Sequence, residues 1–191
     1  SSILKNERIR LANELIVKKA GQKYKVSPKI TVEFVHVTHS IPHTAMLVVE
    51  TPYGRVVYAN DYKLDMTPTL GKKPDLKRIK ELGEEGVDLL ICESLYAGAH
   101  RKTPSEAIAK QMLKEILDPS CSGGHGLIVT TFASQIARVK AIIEIGTKLN
   151  RKIVFFGRSL RKYLLAAQRI GLLDIPKSIP LLSRRQELDK M

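Results

Sequence analysis

Cysteine is scarce in this chain: Cys92 and Cys121 are the only two in 191 residues. They are far apart and match no metal-finger spacing, so neither a disulfide nor a cysteine-based zinc site is expected. Cys92 closes an apolar run and is expected to be a small buried hydrophobe. Long hydrophobic runs are lacking too; no stretch approaches the ~20 apolar residues that a bilayer-spanning helix needs, which excludes a membrane-spanning role from the sequence. The opening residues, Ser1-Ser2-Ile3-Leu4-Lys5-Asn6-Glu7-Arg8, carry no apolar signal core and do not start with Met, so an internal piece of a longer, cytoplasmic polypeptide is expected. Repeats and low-complexity segments are absent.

Acidic residues are outnumbered. Lys and Arg total 32 against 19 Asp and Glu, a formal charge of +13. Such an excess favours a polyanionic partner, since each neutralised phosphate releases counterions. Nucleic acid is the expected partner, and charge alone does not separate RNA from DNA. Hydrophobic residues at 43% and charged residues at 27% are ordinary for a globular chain of one large domain or parts of two.

Apolar spacing over residues 3–20 predicts an amphipathic helix, and the basic stretch 23–29 a loop. Three β-branched runs follow, at 31–38, 45–50 and 55–59, with Thr51-Pro52-Tyr53-Gly54 as a tight turn; they predict an antiparallel meander. A short helix from Leu76, ending at Gly83 or Gly86, leads into a buried-type strand at 87–92. Thr103-Pro104-Ser105-Glu106 reads as a helix start with Thr103 as N-cap, the helix running to Leu117. After a turn-rich loop at 118–126, strands are expected at 127–131 and 153–156, and helices at 134–149 and 159–170. Alternation of this kind predicts a parallel α/β layer.

Topology then places chemistry. In an antiparallel meander the first and third strands run the same way, so His39 and Asp61 emerge at one edge of the sheet. A strand-helix-strand crossover makes the strand at 87–92 parallel to the third, which brings Glu93 to that edge. An imidazole and carboxylates on one rim suit zinc or manganese, with Thr38 and Ser40 able to orient the ring. Ser134 and Ser159 are expected at strand-to-helix junctions, where free N–H groups favour phosphate and Arg158 can add a bidentate contact.

The sequence VHVTHSIPHTAMLVVETPYGRVVYANDYKLD at 35–65, LGEEGVDLLICES at 82–94, TTFASQIARVKAII at 130–143 and VFFGRSL at 154–160 resembles the β-CASP ribonucleases of the metallo-β-lactamase fold, specifically the ribonuclease J branch and its archaeal members. The resemblance implies an α/β chain in which residues 1–98 are part of a metallo-β-lactamase domain with a mixed sheet. Residues 99–191 would be part of a β-CASP domain with a parallel α/β sheet. His39 would be a metal ligand and Asp61 the aspartate bridging two ions, zinc first, with manganese or magnesium as alternatives. Glu93 matches the first acidic motif of the β-CASP group, close to the active site. Ser134, Arg138, Gly157, Arg158 and Ser159 fall on segments near bound RNA. The implied activity is metal-dependent hydrolysis of RNA, 5′-to-3′ exonucleolytic or endonucleolytic, in a protein that can form a homodimer.

Departures narrow that implication. The His-x-His-x-Asp-His cluster expected before His39 is missing, as are the late histidine motifs, so only two metal ligands remain and the rest must come from further polypeptide or a second chain. His36, His43, His100 and His125 lack the spacing to replace them. Asn60 stands where Gly is usual before the motif aspartate, and Leu95-Tyr96 replace small polar residues after Glu93. A chain so equipped is expected to be inactive by itself. A non-catalytic RNA-binding or assembly module and a DNA-directed nuclease of the same fold are the competing readings.

Overall fold

The computed structural model describes residues 12–100, 102–118 and 125–184. Its first lobe is a five-stranded sheet in the order β1-β2-β3-β4-β5, formed by β1 (Lys23–Ser27), β2 (Ile30–His36), β3 (Ala45–Thr51), β4 (Gly54–Tyr58) and β5 (Leu89–Ile91). β1 through β4 pair antiparallel, and β5 adds parallel to β4 through the crossover helix α1 (Leu76–Glu85). The expected meander and crossover are both present.

Alternation along the strands sends Val35, Val37, Met46, Val48, Val57 and Ala59 to one face, where they bury against Leu82, Ile79 and Val87. α1 starts at Asp75, whose side chain accepts from Arg78 N at 3.0 Å, and stops at Gly86, where φ is +93°. From this helix Arg78 reaches down to the sheet. Its Nε and Nη2 donate to Glu33 at 2.8 and 3.0 Å, a carboxylate only 5% exposed on the covered face.

Several expectations fail here. Residues 12–20 form no helix: Leu15, Ile16 and Val17 are exposed and find no surface to bury against, and a short helix without tertiary packing is marginal in water. Residues 3–11 of that expected helix lie outside the described residues. The segment is held instead by Tyr24, whose hydroxyl accepts from Lys19 N and donates to Lys19 O, both at 3.0 Å. The basic stretch 23–29 is strand β1 for most of its length, because its backbone pairs with β2. β5 is not buried. Leu89, Leu90 and Ile91 are all exposed, and so is Cys92: β5 ends the sheet, and no element among the described residues covers its faces.

The second lobe comprises α2 (Glu106–Leu117), α3 (Ile136–Lys148), β6 (Phe155–Phe156), α4 (Arg158–Arg169) and β7 (Leu181–Leu182), with β6 and β7 paired in parallel. Its core gathers Ile136, Val139, Ile142, Ile143, Phe155, Leu164 and Ile179, among others. Leu70, from the loop after β4, packs against this second core. Gly146 in α3 admits Ile153; a Cβ there would lie 2.8 Å from the Ile153 Cδ1.

Residues 127–131 form no strand, since no neighbouring strand offers them an edge among the described residues. β7 was not expected: two residues after Pro180 carry too little pattern to read. α2 is capped by Ser105, not Thr103, through Ile108 N donating to Ser105 Oγ at 3.2 Å. Residues 119–124 of the expected loop lie outside the described residues.

Candidate functional site

Beyond β2 the chain makes an isolated antiparallel bridge, Thr38 to Lys63, with Thr38 N donating to Lys63 O at 3.3 Å and Lys63 N to Thr38 O at 2.7 Å. The bridge ties the segment that carries His39 to the segment that carries Asp61 at one end of the sheet. Both side chains are exposed. Ser40 Oγ lies 3.2 Å from His39 Nδ1; with Nδ1–H donating to it, Nε2 keeps its lone pair free for a metal. Thr38 does not orient the ring. Its hydroxyl donates to the Lys63 carbonyl and accepts from Asp65 N, the latter at 2.9 Å.

Asn60 adopts φ +58°, a left-handed conformation that Gly and Asn tolerate best. The replacement of the usual Gly therefore preserves the bend that turns Asp61 away from β4. Glu93 follows β5, which runs parallel to β4, so it leaves from the same end of the sheet as Asp61. Its carboxylate accepts from Leu95 N at 2.7 Å, which spends one oxygen on shaping its own exposed turn.

His39 and Asp61 are donor types that zinc accepts, but among the described residues no three His, Cys, Asp or Glu side chains group to hold a metal. A catalytic zinc site uses three protein ligands and an open position.

In the second lobe, Gly157 has φ +138° and precedes α4, with Arg158 and Ser159 exposed in the first turn. No side chain caps this helix, so Ser159 is not its N-cap. Ser134 is not a cap either; Gln135 holds that position without a side-chain bond, and Ser134 O accepts from Ile136 N at 2.8 Å. Arg138 is engaged elsewhere than expected, its Nη2 donating to both Glu106 oxygens at 3.1 and 3.2 Å.

That pairing belongs to a junction which sequence reading missed. Asp65, 4% exposed, accepts from Glu106 N at 2.8 Å through Oδ2 and from Thr67 N at 2.9 Å through Oδ1. Lys63 Nζ lies 3.7 Å from both Asp65 and Glu106. The loop that carries Asp61 is thus tied to the first turn of α2. The Asp65-to-Glu106 separation of 41 residues leaves no local signal.

Comparison with known proteins bears on this arrangement. The family model for the β-CASP domain of ribonuclease J matches residues 124–191. A ribonuclease J of Pyrococcus abyssi is 45% identical over 93% of this chain and 40% of its own length. One from Methanocaldococcus jannaschii is 42% identical over the same shares, 93% and 40%. The chain is ribonuclease J-like. It spans about 40% of the length of those relatives. A solved protein of unknown function from Enterococcus faecalis V583 superposes with a TM-score of 0.56 at 17% identity, over 95% of this chain and 47% of that one, a likeness of fold alone. The mixed sheet followed by a small parallel α/β unit agrees with part of a metallo-β-lactamase fold joined to a β-CASP domain. No helix among the described residues is long and apolar enough to cross a membrane.

Proposed function

We propose that this ribonuclease J-like chain contributes half of a metal site and part of the RNA-binding surface of a ribonuclease. The observation that supports this reading is the Thr38–Lys63 bridge, which joins the two segments that carry the exposed residues His39 and Asp61. On this reading both would hold divalent metal, zinc foremost with manganese or magnesium as alternatives, with Asp61 as the ligand that would be shared by two ions and Glu93 supporting the rim. Bound ions would supply Lewis-acid activation of water and of the RNA phosphodiester. The remaining ligands come from polypeptide outside this chain. Gly157, Arg158 and Ser159 contact the RNA backbone, the last two through side chains exposed in the first turn of α4. Ser134 lies at the start of α3, and Arg138 contributes by holding Glu106 in place.

The test uses the purified chain with end-labelled RNA and DNA and added zinc or manganese. Salt-sensitive RNA binding without turnover is expected, together with metal-induced shifts of the His39 ring resonances that weaken in Asp61→Ala. Robust metal-dependent cleavage by the pure chain would overturn the need for outside ligands. His39 resonances indifferent to metal, with RNA affinity intact, would favour a non-catalytic RNA-binding module. Preference for DNA would redirect the reading to a DNA nuclease.

A further inference from the structure

In the three helices other than α4, six of the eight cations face acids, Lys114 and Lys148 being the exceptions. On α1, Lys77, Arg78 and Lys80 pair with Glu81, Glu33 and Glu84 respectively. Lys110 of α2 and Lys140 of α3 share Glu144, and Arg138 holds Glu106. α4 departs from this pattern. Its sequence RSLRKYLLAAQR contains no acid, and Arg158, Arg161, Lys162 and Arg169 are exposed with no acidic partner among the described residues.

The spacing makes a stripe of these four. At 3.6 residues per turn, Arg158, Lys162 and Arg169 fall within about 40° of one another and Arg161 extends the arc to about 100°. The buried side chains Leu164 and Ala167, with Leu160 and Tyr163 partly buried, occupy the opposite side of the helix. The cations therefore point away from the core. Arg169 in the last turn suits the helix dipole, but Arg158 and Arg161 lie at its positive end, where anions are favoured and cations are not. Folding stability gives no reason for two guanidiniums there; a bound polyanion does.

We propose that the outward face of α4 is a track for the backbone of single-stranded RNA, leading away from the Gly157–Ser159 turn along Arg161, Lys162 and Arg169. The proposal rests on the RNA reading above and extends it beyond the turn. From Arg158 to Arg169 the helix rises about 16 Å. That is room for about five phosphates of a stacked strand at about 3.4 Å each. Contacts from these cations to phosphates are made whatever the base sequence, so the track is expected to bind strands of different sequence alike.

Fluorescence anisotropy of a labelled single-stranded RNA tests this with the whole chain. The triple variant Arg161→Glu/Lys162→Glu/Arg169→Glu is compared with Lys114→Glu/Lys148→Glu/Lys152→Glu, which changes net charge equally at exposed positions of the same lobe. The milder Arg161→Gln/Lys162→Gln/Arg169→Gln guards against misfolding, which circular dichroism monitors. The track requires at least about tenfold weaker binding for the α4 variants. It also requires a salt slope shallower by about 2, from roughly 0.7 per lost single-strand phosphate contact, against a change under about threefold in the control. Equal losses in both triples, or none in the α4 variants, overturn the track while leaving RNA binding standing. A wild-type chain with no RNA affinity overturns the RNA reading itself.

Discussion

Asp65 and Glu106 are joined through the backbone: the N–H that opens α2 donates to the buried Asp65 carboxylate at 2.8 Å. A carboxylate at a helix N-terminus satisfies an orphan donor and faces the positive end of the dipole. Here that carboxylate belongs to the loop that also carries Asp61, so the rim of the first lobe and the first helix of the second share one hydrogen-bonded joint. Lys63 and Arg138 close the charge around it.

Asp65→Ala is therefore expected to destabilise the chain by about 2–4 kcal/mol, because it leaves the Glu106 and Thr67 N–H groups without their buried acceptor. Urea unfolding measures the loss. Asp65→Asn, which keeps one carbonyl acceptor, should lose less. Equal stability of wild type and Asp65→Ala would show that the joint contributes nothing.

Asn60 offers a sharper probe of the proposed metal rim. Its φ of +58° costs a side chain with a Cβ about 1 kcal/mol unless the residue is Gly or Asn. Asn60→Ala should lose about that much in thermal or urea unfolding and loosen the position of Asp61, whereas Asn60→Gly should stay within about 0.5 kcal/mol of wild type. If Asn60→Ala matches Asn60→Gly, the left-handed bend is not present in solution.

The sheet was legible where side-chain alternation was strict. Val35, Val37, Met46, Val48 and Val57 repeat with period two, and the meander with its shared edge for His39, Asp61 and Glu93 followed from that. Continuous apolar runs misled. Leu89-Leu90-Ile91 reads as a buried strand and Leu127-Ile128-Val129 as a strand, but pattern reports only what a segment could bury, and no described element covers them. The N-terminal helix failed for the same reason at Leu15, Ile16 and Val17. The capping motif at 103–106 puts the helix start two residues early: Ser105, not Thr103, is the local cap, and the N–H of Glu106 goes to the distant Asp65. Long-range ion pairs such as Arg138 with Glu106, 32 residues apart, leave no trace in spacing.

Arg78 and Glu33 should behave as a unit. The guanidinium is held more firmly in its charged form by Glu33 first and Glu85 next, and Glu33 is buried under α1. Arg78→Met strands that carboxylate and is expected to cost about 3–5 kcal/mol. Replacing both residues by apolar ones, Arg78→Met with Glu33→Val, should recover most of the loss, since the uncompensated charge disappears. Additive losses in the double variant would show that Arg78 acts through its other carboxylate partners, Glu81 and Glu85.

Glu144 gives a prediction in pH. Hydrogen bonds from Lys110 and Lys140 hold its carboxyl below the usual carboxylate range, against a smaller opposing effect of burial. A group whose folded pKa is depressed stabilises the fold above its unfolded pKa and loses that stabilisation as pH falls through the folded value. Glu144→Gln should therefore be less stable than wild type at pH 7, and the gap should shrink steadily as the pH falls below about 4.3, the ordinary value for a glutamate. The carboxylate is a third exposed and solvent screens it, so the gap at pH 7 is expected to be about 0.5–1 kcal/mol. Because the same residue ties α2 to α3, Lys110→Met should reproduce the pH trend in part through the surviving Lys140 bond. Urea midpoints measured from pH 3 to pH 8 decide it: a wild-type advantage that is flat across that range would mean the ion pairs do not form in solution.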